Sequence, residues 1–144
     1  MKKIIKFSLV VFLGIATLMG CKEKDNPFVD ENLINEWTLE WYEDINGNKI
    51  HEKPENLPQD IMLVFRLNNI VSGHIASFDV DGSYKINKDG YLAITLGYPR
   101  LPFCCQWDQT FLDTYPNISS YSYDGGNYLK IFYDNDTKVM LFSK

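Results

Sequence analysis

The chain is punctuated at short intervals by residue pairs that suit a left-handed backbone. Asn46-Gly47, Asn68-Asn69, Asp89-Gly90, Gly125-Gly126 and Asn135-Asp136 each fall between short, apolar-rich segments. Tight hairpin turns need positive φ at their central positions, and Asn, Asp and Gly reach it at least cost. Between the pairs, side chains alternate. Trp37, Leu39 and Trp41 share one face and Thr38, Glu40 and Tyr42 the other, which is the period of a half-buried strand. A short strand through Ile50 returns after Asn46-Gly47, and Pro54 to Pro58 is a loop.

The same reading gives strands at Ile61–Leu67 and Ile70–Phe78, then Ser83–Asn87 and Tyr91–Leu96. Ser120–Tyr123, Tyr128–Asp134 and Lys138–Ser143 complete the set. One stretch departs from alternation. In QWDQTFLDTYP, Trp107, Phe111 and Leu112 recur at i, i+4 and i+5, one face of a short helix near 106–115 that Pro116 ends. The fold class is therefore mainly β: an antiparallel meander curled into a barrel or half-barrel, with the helix plugging or flanking one open end. A lipocalin-like barrel is the structural alternative.

The N-terminus reads as an export signal. Lys2, Lys3 and Lys6 precede an almost wholly apolar run from Phe7 to Met19, then Gly20 and Cys21. The run is too short to span a bilayer, which takes roughly 20 apolar residues. Leu18-Met19-Gly20-Cys21 resembles the bacterial lipobox, in which the cysteine is lipidated and becomes the first mature residue. An ordinary secretory signal with an incidental cysteine is the competing reading. The resemblance implies a signal peptide at 1–20, a lipidated Cys21 with a polar tether through 34, and one domain over 35–144. Acidic residues just after Cys21 resemble the surface-export signal of Bacteroidetes lipoproteins, with Lys24 interrupting them. The expected location is the outer membrane, on its periplasmic face or, by preference, at the cell surface.

Removing residues 1–20 takes three lysines and no acid, leaving eleven Lys+Arg against nineteen Asp+Glu, a net charge of about −8. Phosphate backbones need clustered cations, so a nucleic-acid partner is disfavoured. Besides Cys21 there are only the adjacent Cys104 and Cys105. They are candidate redox residues: buried thiols, a strained vicinal disulfide, or a bond to another chain. A metal site would need more ligands than these and His51 and His74 supply. No metal and no cofactor is expected.

The order of motifs resembles the META domain, the HslJ-like family of small exported bacterial proteins. Trp37-Thr38-Leu39, Leu63-Val64-Phe65, Val71-Ser72-Gly73, Gly82-Ser83-Tyr84 and Gly90-Tyr91-Leu92-Ala93-Ile94 stand for its first five motifs. Cys104 or Cys105, Phe111-Leu112, Tyr121 or Tyr123, Leu129-Lys130-Ile131 and Leu141-Phe142 stand for the rest. The family's Cys-Asn step is missing here, where the interval is HIASFDVD. The resemblance implies a β-rich partial barrel and a loose link to envelope stress tolerance.

Candidate sites are few. Asp44, Asn46, Asn48 and Glu55 take positions of a calcium loop, but Lys49 stands where its glycine belongs, and a hairpin turn explains the pattern as well. Asp79 and Asp81 form a carboxylate pair, with Asp81-Gly82 also readable as a turn. His51 sits in a polar loop and His74 in a strand. No Walker loop, G-x-S-x-G or H-E-x-x-H occurs. The best candidate is the loop GYPRLPFCCQW. It combines Tyr98, Arg100, Leu101, Phe103 and Trp107 with two prolines that limit its freedom. The alternative is that Phe103 and Trp107 simply cap the barrel. The function expected is a lipid-anchored, non-catalytic module for an unknown protein or envelope ligand. An accessory or inhibitor-like subunit of an envelope assembly, and an enzyme, are the alternatives.

Overall fold

The computed structural model describes residues 27–75, 78–99 and 105–144. Nine strands form one antiparallel sheet: β1 (Glu36–Asp44), β2 (Lys49–Glu52), β3 (Met62–Arg66), β4 (Ile70–Ile75), β5 (Phe78–Ile86), β6 (Leu92–Gly97), β7 (Ile118–Asp124), β8 (Tyr128–Tyr133) and β9 (Lys138–Ser143). Among the described residues a single α-helix, α1 (Gln106–Thr114), lies between β6 and β7. The strand order is β6-β5-β4-β3-β1-β9-β8-β7, and β2 lies beside β1 on the edge that β3 also uses. A bridge between Tyr91 and Ser120 and a bond from the Tyr121 N–H to the Gly90 carbonyl (2.9 Å) bring β6 and β7 together. The sheet is thereby a nearly closed barrel, which leaves little open edge.

The turns form where the residue pairs place them. Asn68, Asn69, Asn135 and Asp136 all have positive φ, as do Gly47, Gly90, Gly125 and Gly126. Asp44 organises the first turn: its carboxylate accepts the Asn46 and Asn48 N–H groups and the Asn48 amide. That is turn chemistry, with Glu55 in the loop beyond β2 and outside this network.

Several expectations are corrected, and His51 lies in the strand β2 rather than in a loop. The strand expected over Ile70–Phe78 is two strands, with Phe78 opening β5 opposite Ile75. Asp81-Gly82 is consequently no turn but the middle of β5, paired with β4 on one side and β6 on the other. In β1 a bulge between Leu39 and Trp41 reverses the alternation. Tyr42, not Trp41, continues the inward row of Trp37 and Leu39 and is fully buried, while Trp41 moves to the outer face.

The core fills the barrel from both ends. At the end where β1 starts, Trp37 donates its indole N–H to the Leu33 carbonyl (3.0 Å), and Leu33 is fully buried. Asp30 accepts hydrogen bonds from the Tyr121 and Tyr123 hydroxyls, both at 2.9 Å. The segment expected to be tether through residue 34 is therefore seated on the barrel from Asp30 onward. Asp30→Ala should cost about 2 kcal/mol, because two partly buried hydroxyls lose a charged acceptor. Urea unfolding followed by tryptophan fluorescence reads this directly; an unchanged midpoint would show that the clasp contributes nothing.

At the other end α1 forms the plug. Trp107, Phe111, Leu112 and Thr114 are buried on one face, and Asp108 lies in the first turn, where a carboxylate suits the helix dipole. The Phe111 and Tyr115 rings stack at 5.9 Å. The single turn Tyr115–Asn117 that follows α1 carries Pro116, which ends the helix.

Candidate functional site

The expected recognition loop is only partly described. Arg100, Leu101, Phe103 and Cys104 lie outside the described residues, as does the lipidation candidate Cys21. Tyr98 follows β6 and is exposed, its ring stacked on Phe78 at 6.1 Å. Cys105 is half-buried and immediately precedes α1 in extended backbone. Trp107 is not a surface anchor. It is 4% exposed and belongs to the core.

Trp107 nevertheless borders a groove. Gln106, Trp107 and Thr110 of α1 form one bank; Ile50, His51 and Glu52 of β2, with Pro54, form the other. The volume is about 290 Å³, at the small end for a ligand pocket. β2 is exposed along its whole length and, among the described strands, pairs only with β1. Its second edge is open along this groove. Register explains which way its side chains go. His51 pairs with Tyr42 and lies on the inward face, where its ring meets Tyr42 edge-on at 6.0 Å. Glu52 pairs with Trp41 on the outer face and bonds Lys49 at 3.0 Å.

Beneath the groove two polar atoms are unsatisfied. Trp107 stands edge-on to Tyr42 at 5.1 Å, yet among the described residues neither the Trp107 Nε1 nor the Tyr42 hydroxyl has a hydrogen-bond partner. Burial, then the neighbouring Tyr133, pushes the Tyr42 phenol far above its ordinary pKa, so it stays protonated. Such orphaned groups are uncommon in folded proteins and mark a place for an ordered water or a ligand.

The titratable candidates do not converge. His74 lies opposite Met62 and Asp79 on the outer face of β3–β5, and Asp79 and Asp81 are exposed there beside buried Val80. No group of three His, Cys, Asp or Glu side chains is placed to hold a metal among the described residues. The sequence reading missed Ile50, Glu52, Gln106 and Thr110. No local pattern marks them, because the groove is made by two segments far apart in the chain.

An antiparallel partial barrel with a helical plug is the class of protein that this architecture defines. Solved structures share it. A DUF4847 family protein from Bacteroides vulgatus matches with a TM-score of 0.63 at 12% identity, over 78% of this chain and 94% of that one. A protein from Burkholderia xenovorans matches with a TM-score of 0.59 at 17% identity, over 81% and 88%. At these identities the likeness is one of fold. No family model matches the chain, and no curated protein sequence matches it.

Proposed function

We propose that this chain is a lipid-anchored, non-catalytic binding module of a bacterial envelope. In this reading Cys21 carries the lipid, and the groove between β2 and α1 receives a protein or envelope ligand. One observation carries it. Asp30, nine residues after Cys21, meets Tyr121 and Tyr123 at one end of the barrel, and the groove sits at the opposite end, where α1 plugs the barrel. A chain tied down at residue 21 therefore holds its groove away from the bilayer. Two or three acyl chains hold such a module firmly, at ~0.8 kcal/mol per buried CH₂. The alternating directions of His51 and Glu52 suit contact better than acid–base chemistry at one point. The motif order shared with the META domain, and with it a role in envelope stress tolerance, belongs to the same reading.

The open edge of β2 favours a second reading, an accessory subunit of an envelope assembly. An extended segment of a partner could add to that edge by backbone pairing.

The test has two arms. Cells fed a tagged fatty acid should label the wild-type protein and leave Cys21→Ser unlabelled and outside the membrane fraction. A photo-cross-linking residue at Thr110 should give one defined adduct in the native envelope, and the same residue at Ser83 on β5 should give none. An unlabelled wild-type chain would overturn the anchor, and equal adducts from both positions would overturn the groove.

A further inference from the structure

A second groove lies on the outer face of the barrel, and the bulge in β1 creates it. Because the alternation slips between Leu39 and Trp41, Glu43 points outward opposite Val139 of β9. Val139 in turn pairs with Phe132 of β8. The β1–β2 turn folds over this surface, with the Ile45 N–H bonded to the Thr137 carbonyl at 3.2 Å. The result is a groove of about 350 Å³. Val139, Phe132 and Ile45 give it apolar walls, and Glu43, Lys130 and Ser122 give it polar ones.

Glu43 is the unusual member. It is 8% exposed, and a carboxylate that deep needs compensation. Its Oε2 accepts the Trp41 indole N–H at 2.8 Å. Among the described residues its Oε1 meets only Lys130 Nζ, at 4.0 Å, beyond hydrogen-bond reach. Lys130 is drawn instead to Asp124, at 3.2 Å. Two carboxylates thus share one ammonium, and Glu43 Oε1 is left without a close hydrogen-bond donor among the described residues.

We propose that this groove is a binding site for an alkyl ammonium group, with the cation on Glu43 Oε1 and the carbon chain along Val139, Phe132 and Ile45. The occupied Oε2 decides the class of cation. A guanidinium fork is held best by both oxygens of a carboxylate, whereas an ammonium is a compact charge that one oxygen can serve. The net negative charge of the chain adds long-range attraction for a cation. The site is separate from the groove at α1 and does not depend on the function proposed for it.

The test uses the full-length protein and n-pentylammonium, followed by two-dimensional amide NMR. The amine should shift the Trp41 indole N–H, which reports on Glu43, together with the Gly47 and Ser122 amides. Its neutral isostere n-pentanol should not shift them. Glu43→Gln should weaken the amine at least tenfold. Ile45→Trp, which fills the groove and leaves the carboxylate in place, should weaken it likewise, so the result does not hang on one variant's folding. Equal shifts with pentanol, or wild-type affinity in both variants, would overturn the site. A second titration with Nα-acetyl-lysine methylamide separates the sources: tighter binding than pentylammonium identifies a lysine side chain of a polypeptide, and weaker binding a free amine.

Discussion

Gly73→Ala and Gly82→Ala are each expected to destabilise the protein by at least about 3 kcal/mol, and the double variant is expected not to fold. Neither glycine is in a turn. Gly73 lies in β4 opposite Leu63 and Val80, and Gly82 lies in β5 opposite Val71 and Leu96. A Cβ on Gly73 would land on the Met62 carbonyl oxygen, and one on Gly82 on the Thr95 carbonyl oxygen. Those oxygens are backbone, so no side chain can swing aside; whole strands must move. A glycine inside a strand marks such a close approach, here where the barrel wall bends. Domains of this size have only ~5–15 kcal/mol in hand, so two such insertions exhaust the margin. Gly125→Ala is the control. Nothing lies within 4 Å of a Cβ there, and the only penalty is a φ of +64°, worth about 1 kcal/mol. Urea midpoints for the three single variants should separate accordingly. A Gly73→Ala protein as stable as Gly125→Ala would mean that the strands are not so closely apposed.

The two glycines show what the sequence conveys and what it hides. A left-handed turn is a local demand, so Asn68-Asn69, Asp89-Gly90 and Asn135-Asp136 announce it themselves. Most of the strands, the helix and the barrel-like sheet follow from such pairs and from side-chain alternation. Gly82 carries the same Asp-Gly signature as a turn, but its cause is a neighbouring strand, which no local rule detects. The junction between β4 and β5 has the reverse problem. Ile75 and Phe78 flank Ala76-Ser77, which carry no turn signature, so one strand was expected where two exist. The bulge in β1 is hidden for a similar reason. Trp41 and Tyr42 are equally plausible core residues, and only pairing with β9 decides between them. The candidate site suffers most, because the outer groove depends on that pairing and the groove at α1 joins two segments far apart in the chain. Trp107 was legible as important, but its role is the buried floor of the helix-end groove rather than an exposed contact.

Alkali should unfold this protein in a single late, cooperative step driven by its tyrosines. Six of the nine, Tyr42, Tyr84, Tyr115, Tyr121, Tyr123 and Tyr133, have hydroxyls whose pKa is raised. Burial is the main cause in every case, because a phenolate loses its hydration inside the barrel. Tyr133 is pushed up to about 12. Tyr121 and Tyr123 rise further because both donate to the Asp30 carboxylate, whose charge also opposes a nearby phenolate. A raised folded-state pKa contributes stability that is fully present below the unfolded value near 10 and is lost as pH rises towards the folded values. The vulnerable window therefore opens near pH 10 and extends past 12. Within it the unfolded chain ionises tyrosines that the folded chain holds neutral, so each added pH unit favours unfolding by several groups at once. Absorbance at 295 nm and near-ultraviolet circular dichroism should change together in one steep transition, and protein in concentrated urea should titrate earlier and gradually. Asp30→Asn removes the charge that opposes ionisation of Tyr121 and Tyr123, so those two hydroxyls should ionise at lower pH in the folded variant. Its loss of the charged acceptor also weakens the fold, so its transition should begin at lower pH than that of the wild type. Gradual ionisation centred near pH 10 with the circular dichroism intact would show that these six rings are open to solvent and that the packed interior described above is wrong.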